Sequence, residues 1–444
     1  MQSSRIPHHP APNRPGLRTT LISLPRSVRR LAILSLLLGT VVLGSLAVRH
    51  GSEAAVPVAA IEVESKDGIA QLRMQLQRTP RNPALQAQLG LSLLAQVRTS
   101  GDPLLYLQAE EALNRALAVA PDQLDALIGQ GVLALARHDF DGALLWAERA
   151  EVLNPYRAQI KGIQVDGLVE LGRYAEAAAA AQAMVDLRPD LHSYTRVSYV
   201  RELYGDVDGA IEAMTAAVEA GTQGSEPALW SLAQLGDLHL GQGDLAAARE
   251  AYSAALAWVP DYPYALAGLA RIQAAEGRSD DAISAYEALV EQLPLPAFVT
   301  MLGDLYAAAG RNEEAQTQFQ LVLAMEALNA EAGMDIELEL ARFTLNHAGD
   351  DTALLATALE QAEAVYSHRP TIYAADTLAW ALYRTGDYDR AWTLSQEALR
   401  LGTRDAMLHH HAGIIARARG DQVNAKAHLD KATAINAYYA VSVR

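Results

Sequence analysis

The apolar and polar positions divide the chain into three parts. Residues 1–30 are polar and rich in Arg and Pro, and residues 31–48 contain no charged residue. From residue 64 onward, Ala- and Leu-rich stretches alternate with Gly-centred turns. Ala and Leu lose little free energy on entering a helix. The pattern therefore predicts a disordered N-terminal segment, one hydrophobic helix and an all-α body.

The uncharged run from Leu31 to Val48 is long enough to cross a bilayer. As a helix it spans roughly 27 Å, close to the thickness of the hydrocarbon core. Arg26, Arg29 and Arg30 stand just before it. Because basic residues stay on the cytoplasmic side, we expect a single-pass transmembrane helix with a cytoplasmic N-terminus and an extracytoplasmic body.

Two other interpretations of this run stay open. Residues 45–47 (Ser-Leu-Ala) would serve as a signal-peptide cleavage site, although the apolar run and its leader are long for one. A segment that is apolar all round could also be a buried helix of a soluble domain. Residues 49–63 are predicted to form a linker. A retained anchor and a cleaved signal both place the body outside the cytoplasm.

The body repeats a Gly that is followed five residues later by Ala. The pairs are Gly172/Ala177, Gly205/Ala210, Gly243/Ala248, Gly277/Ala282, Gly310/Ala315, Gly386/Ala391 and Gly420/Ala425. Their spacing is nearly constant, except that the gap from Gly310 to Gly386 is twice as long and holds Gly349 near its middle. Upstream, His138 takes the place of the Gly before Ala143. A period that recurs in this way indicates a repeat array.

Each period predicts two helices. The Gly can adopt the positive φ of a tight turn between them, and the small Ala lets the second helix press against the first. Pro121, Pro155 and Pro189 recur at one constant spacing, where they would end the second helix. One helix pair cannot bury its apolar face alone, so neighbours must stack. The sequence thus predicts an α-solenoid over residues 84–444, capped by a helix at 64–83.

These residues resemble the tetratricopeptide repeat family. The clearest unit, 229–260, has Leu235-Gly236 in its first helix, Gly243 at the turn, then Ala248, Tyr252, Ala255 and Pro260. The resemblance covers about residues 84–437 and implies a right-handed superhelix of about ten helix pairs. The region near residues 99–103 departs from it by an insertion, and residues 327–370 depart by longer helices. With its hydrophobic segment, the chain is similar to membrane-anchored tetratricopeptide proteins of the bacterial type.

The resemblance also implies a function, because such proteins bind a peptide or protein on the concave face lined by first helices. Projection onto the family pattern places one group of aromatic and charged residues on that face: Tyr199, Trp230, Asp237, Tyr264, Arg271, Tyr373, Asp376, Trp380 and Tyr383. The last four share one helix face and are the favoured anchors. The alternative is that these aromatic side chains pack between units. On this face, no set of Lys and Asn residues that would bind the carboxylate of a peptide is found.

Composition and motifs argue against other classes of function. Beyond residue 50 the chain has 29 basic against 52 acidic residues, which disfavours nucleic acid, and it has no Cys for disulfides or thiol chemistry. No phosphate loop, GxSxG or HExxH motif occurs. His409, His410 and His411 point in different directions on a helix, so they make a poor metal site even with His428. We expect no enzyme, cofactor, metal or small-molecule substrate.

Three functions remain at this point. The first is a membrane-anchored scaffold or adaptor that binds a protein or peptide on its concave face. The second is a structural or assembly subunit of a cell-envelope complex that uses its convex face or the ends of the array. The third is an enzyme or receptor with a small-molecule site inside the superhelix, for which no motif speaks.

Overall fold

The computed structural model describes residues 66–439 of the chain. The predicted N-terminal segment at 1–30, the transmembrane helix at 31–48 and the linker at 49–63 lie outside the described residues. Within residues 66–439, no helix has the length and apolar character needed to span a membrane.

The described residues form 21 α-helices, with one single helix followed by ten helix pairs. The single helix is α1, Lys66–Arg78. Units 1 to 5 are α2 (Pro83–Ser100) with α3 (Leu104–Val119), α4 (Leu124–Ala136) with α5 (Phe140–Leu153), α6 (Ala158–Glu170) with α7 (Tyr174–Leu187), α8 (Leu191–Leu203) with α9 (Val207–Ala220), and α10 (Glu226–Gly241) with α11 (Leu245–Trp258).

Units 6 to 10 continue in the same way to the end of the described chain. They are α12 (Pro263–Ala275) with α13 (Ser279–Gln292), α14 (Pro296–Ala308) with α15 (Asn312–Glu331), α16 (Glu337–His347) with α17 (Thr352–His368), α18 (Ile372–Thr385) with α19 (Tyr388–Ala398), and α20 (Ala406–Ala418) with α21 (Gln422–Ile435). The predicted all-α solenoid of about ten pairs is confirmed.

The turns between paired helices lie where the Gly/Ala register placed them. All seven predicted Gly residues have positive φ, and His138 is the single non-Gly residue with positive φ in the described part of the chain. The Ala five residues later is buried at each of these turns. The register therefore identifies both the turn, where Gly adopts a positive φ without strain, and the contact between the two helices, where a small Ala is buried.

Unit 8 does not have two longer helices as expected, because its first helix is short and only its second helix is long. Its first helix, α16, has 11 residues and its second, α17, has 17. The extra length before it belongs to α15, the second helix of unit 7, with 20 residues. Gly349 has positive φ and stands between α16 and α17, so this unit also turns at a Gly.

Close packing between neighbouring units depends on glycines that face one large side chain. The ring of Tyr252 is fully buried between Gly236 and Gly268, which belong to the first helices of units 5 and 6. A Cβ at either glycine would overlap this ring. At the start of the array, α1 buries Ile69, Leu72 and Leu76 against the following helices, as expected for a helix that covers the end of a solenoid.

Candidate functional site

Two parts of the array that are distant in sequence contact each other, a feature that the sequence analysis did not predict. We call this contact the seam, and it joins the turns of units 2 to 5 to the segments before units 8, 9 and 10 and after unit 10. Its hydrogen-bonded pairs are His138–Asp335, Glu170–Arg369, Tyr174–Ile372, Leu203–Thr403 and Leu240–Asn436. Each of these contacts therefore joins one unit to a segment of the chain that lies six units later in the array.

The centre of the seam is a buried ion pair. Arg369 Nη2 donates to Glu170 Oε2 at 3.2 Å, and the two side chains are 3% and 11% exposed. The Arg369 guanidinium also lies 4.4 Å from the centroid of the Phe140 ring. Burial raises the pKa of Glu170, and the adjacent Arg369 opposes that shift. Next to this pair, the Ile372 amide donates to the Tyr174 hydroxyl at 2.8 Å.

The first helices of neighbouring units are bridged by acid–base pairs at every second junction. Asp166 pairs with Arg196 between units 3 and 4, with distances of 3.0 and 2.6 Å. The pairs at the later junctions are Asp237–Arg271 (units 5 and 6), Asp304–His347 (units 7 and 8) and Asp376–His411 (units 9 and 10). Each time the odd-numbered unit supplies the carboxylate and the next unit supplies the base.

The four predicted partner-binding residues of units 5 and 6 are buried or half-buried within the array. Asp237 Oδ1 accepts from Arg271 and, at 2.7 Å, from the Tyr252 hydroxyl. Arg271 is buried, and so is Trp230. Tyr264 is half-buried and packs against Phe298 of the following unit with ring centroids 6.0 Å apart. Asp237, Arg271 and Tyr264 thus contact side chains of a neighbouring unit, and Trp230 is buried.

Tyr199 and Tyr373 lie at the seam. Both are half-buried and pack against one apolar cluster that contains residues of units 3, 4, 9 and 10, among them Val200 and Met407. Burial is the main cause that raises the pKa of Tyr373, and Asp405 and Tyr199 add to it. The face of α18 that was expected to line an open groove is therefore partly covered by unit 4 of the same chain.

Two of the remaining predicted residues, Trp380 and Tyr383, belong to a row of contacting rings on units 9 and 10. We call Tyr388, Tyr383, Trp380 and His411 the aromatic row. The Trp380 ring lies 4.2 Å from the His411 ring at an interplanar angle of 12°, and 4.7 Å from the Tyr383 ring at 26°. Tyr383 contacts Tyr388 at 6.0 Å. Tyr388 is 39% exposed and the other three are half-buried, so the row reaches the surface.

Asp376 lies beneath the aromatic row. Its Oδ2 is 2.8 Å from His411 Nδ1, and the side chain is 4% exposed. Its other oxygen, Oδ1, and the Trp380 Nε1–H are buried without a hydrogen-bond partner. His411 was grouped with its histidine neighbours in the sequence and not with this face. The useful sequence signal is a carboxylate on one first helix and a base on the next first helix, as at Asp166 and Arg196, although the separation along the chain differs from pair to pair.

The histidines of unit 10 behave as packed side chains. His409 Nδ1 lies 3.0 Å from His428 Nδ1, so the expected contact across the helix pair is present. Within residues 66–439, no group of three His, Cys, Asp or Glu residues is placed to hold a metal ion. Burial is the main cause that lowers the pKa of His409, to about 4, and that of His428 below its usual value.

Acidification is expected to destabilise unit 10. A histidine whose folded pKa lies below its unfolded value of about 6.5 binds fewer protons in the folded state. Its contribution to stability is complete above a pH of about 6.5 and is lost as the pH falls towards about 4. Hydrogen exchange of α20 and α21, measured from neutral pH down through this range, would show the loss. His409→Gln should flatten the pH dependence, whereas an unchanged profile in this variant would contradict it.

Comparisons with known proteins support the repeat assignment. Family models for the tetratricopeptide repeat match residues 105–158, 164–225 and 239–303. A curated relative, anaphase-promoting complex subunit 7 of Arabidopsis thaliana, is 26% identical over 235 residues, which are 52% of this chain and 41% of that protein. The matched region thus spans about two fifths of the relative's length.

Solved structures show similar helical arrays at low identity. The Cut9 and Hcn1 hetero-tetramer of APC/C aligns over 85% of this chain and 87% of that one, with 16% identity and a TM-score of 0.42. A human IFIT1 dimer with PPP-AAAA aligns over 83% of this chain and 78% of that one, with 16% identity and a TM-score of 0.38.

Proposed function

We propose that this chain, built of tetratricopeptide repeats, is a non-enzymatic scaffold or adaptor that binds a protein or peptide partner through the first helices of its C-terminal units. The observation that carries the proposal is the aromatic row on units 9 and 10, which reaches the surface. Trp and Tyr are the residues that most often anchor a partner. Tyr199 and Tyr373 lie at the seam, so the anchors that we propose are Trp380 and Tyr383 on α18, with Tyr388 at the start of α19 beside them.

We further propose that residues 31–48 hold the chain in a membrane, with the N-terminus in the cytoplasm and the solenoid outside it. The support is the uncharged run itself and the Arg residues that precede it. A tethered scaffold would gather its partner at the membrane surface.

Truncation of the aromatic row is expected to remove the partner. The experiment is affinity capture of the full chain from membranes, followed by mass spectrometry, for wild type and for Trp380→Ala/Tyr383→Ala. An aromatic anchor contributes about 2 kcal/mol or more, so the partner should be depleted at least about tenfold. Peptides from residues 31–48 in the captured chain would support the membrane proposal, and a mature N-terminus after residue 47 would contradict it.

The matched control is Trp258→Ala. Trp258 ends α11, a second helix, and is 52% exposed, so its removal should leave both the fold and the partner unchanged. Melting curves of all variants separate a loss of binding from a loss of folding. A capture pattern that is the same for wild type and the double variant would refute the scaffold proposal in this form.

A second function is an assembly subunit that uses the convex face. Two observations favour it. The curated relative is named as a subunit of a complex, and several large apolar side chains on second helices or the turns after them are strongly exposed, among them Val152, Tyr156 and Val423 at 80% or more. Under this function Val152→Glu, and not the aromatic-row variant, would remove the captured proteins.

A further inference from the structure

A cleft lies at the N-terminal end of the array, lined by α1 and by both helices of unit 1. Its volume is about 620 Å³, within the range of roughly 300–1,000 Å³ that is usual for ligand sites. Leu76 lines it and is buried, whereas Leu89 is half-buried and Val119 is 50% exposed, so apolar surface is accessible inside it. Ala112 and Ala118 line it from α3 with one methyl group each, which leaves space between α3 and α1.

Three exposed arginines also line the cleft. Arg115 pairs with Glu111 of the same helix at 2.5 Å, so these two charges offset each other. Arg73 Nη2 donates to the side-chain oxygen of Gln108 at 2.8 Å, which is a neutral acceptor. Arg81 forms no ion pair within the described part of the chain. The cleft thus carries two accessible cations beyond its one ion pair.

This end of the array is basic, although the body as a whole is acidic. Residues 66–81 contain four basic residues and one acidic residue, while the chain beyond residue 50 carries 29 basic against 52 acidic residues. The cations of α1 and of the turn after it therefore form a local positive surface. A guanidinium can bind a carboxylate through two parallel hydrogen bonds. The cleft therefore suits a ligand that combines carboxylates with apolar groups.

We propose that this cleft binds an acidic segment of a partner protein. Carboxylates of the segment accept hydrogen bonds from the guanidinium groups of Arg73 and Arg81, and an apolar side chain between them packs against Leu89 and Val119. Charge complementarity supports the proposal, and so does the concave shape, because a peptide side chain fits into a cleft that a flat lipid surface does not enter. The inference goes beyond the proposed function, since the cleft shares no residue with the aromatic row.

The test uses the full chain in a non-ionic detergent and a dye-labelled hexapeptide, Glu-Leu-Glu-Glu-Leu-Glu. The comparison peptide has Gln in place of every Glu, so it keeps the shape and loses the charge. Fluorescence anisotropy should show that the acidic peptide binds at least about tenfold tighter than the neutral one. The difference should shrink as salt is added, because the charges are exposed. Equal affinity for the two peptides would overturn the proposal.

Matched double variants locate the contact. Arg73→Gln/Arg81→Gln, the cleft variant, should weaken binding of the acidic peptide about tenfold, because both accessible cations are lost. Arg78→Gln/Arg417→Gln removes the same charge from two exposed positions outside the cleft and should change the affinity less than about twofold. An equal loss in the two double variants would indicate attraction by overall charge and would overturn the site.

Arg81→Gln alone keeps the test decisive if the cleft variant loosens α1. It leaves the hydrogen bond from Arg73 to Gln108 in place, so the contact between α1 and α3 is retained. This single change should weaken binding of the acidic peptide about threefold. Hydrogen exchange of α1 without peptide shows for each variant whether the helix is folded. An affinity that is unchanged in Arg81→Gln would overturn the proposal.

Other occupants of the cleft give distinct results, and each would overturn the proposal. If anionic lipid fills it, the peptide does not bind, and vesicles of phosphatidylserine protect α1 from exchange in wild type and not in the cleft variant. If the segment before α1 fills it, the peptide binds only after Glu62→Gln/Glu64→Gln. Peptide binding should be unchanged in Trp380→Ala/Tyr383→Ala, so this test and the capture experiment can fail independently. Loss of peptide binding in that variant would place the peptide at the aromatic row.

Discussion

Replacement of Arg369 by Ala is expected to open the seam. The change leaves Glu170 buried without its partner and removes the cation that lies over the Phe140 ring. Breaking one partner of a buried pair typically costs about 3–5 kcal/mol. Because burial already raises the pKa of Glu170, protonation of this carboxyl should recover a part of that cost. We therefore expect a loss of stability at the lower end of this range of free energies.

Hydrogen exchange is the appropriate measurement, since repeat arrays need not unfold in one step. The Ile372 amide, which donates to Tyr174 across the seam, should exchange faster by a factor of about a hundred or more, as about 3 kcal/mol implies. Arg390→Ala is the control. Its pair with Glu363 is about half exposed and should contribute less than about 1 kcal/mol. Equal exchange at Ile372 in the two variants would argue against a stabilising role of the buried pair.

Replacement of Gly172 by Ala is expected to cost more than the same change at another turn. Gly172 has a φ of +71°, and an added Cβ would lie 2.6 Å from the carbonyl oxygen of Pro370 across the seam. Gly310 has a φ of +76° at the same place in its unit, and a Cβ there would meet nothing within 4 Å. Both changes strain the left-handed backbone by about 1–2 kcal/mol. The difference in unfolding free energy between the two variants therefore measures the effect of the contact at the seam.

The overlap at Gly172 involves backbone atoms, which cannot rotate away. We expect about 1–3 kcal/mol beyond the cost at Gly310, the usual range for overpacking. Denaturation of both variants, with exchange read at Ile372, measures the difference. Gly205→Ala should behave like Gly172→Ala, because its Cβ would overlap the carbonyl of Gly402. If all three variants lose the same stability, the two parts of the array do not press on each other in solution.

The local architecture was predictable because it rests on short-range rules. A Gly turn and a small Ala five residues on act within one unit, so their spacing located the helix pairs around Gly243 and Gly310. The same rules failed to give helix lengths in unit 8. The long α15 and the short α16 lie on either side of Asp335, where the seam begins.

The candidate site was predictable only in part. The pattern placed Asp376, Trp380 and Tyr383 on one helix face, and the two aromatic rings do meet. It could not show that His411 of the next unit lies between them and the rest of unit 10, or that Asp237 and Arg271 neutralise each other. Both depend on the offset between neighbouring first helices, which no single helix encodes.

The sequence by itself determined the solenoid of helix pairs, its turns and the helix face shared by Asp376, Trp380 and Tyr383, because each follows from contacts within one repeat period. The tertiary structure alone decided which of those anchors are available. The seam joins residues of units that are six places apart in the array, and it arises when the small rotation between successive units accumulates over those six. The accumulated rotation brings Tyr199 and Tyr373 into the seam, whereas Trp380 and Tyr383 lie in the aromatic row outside it.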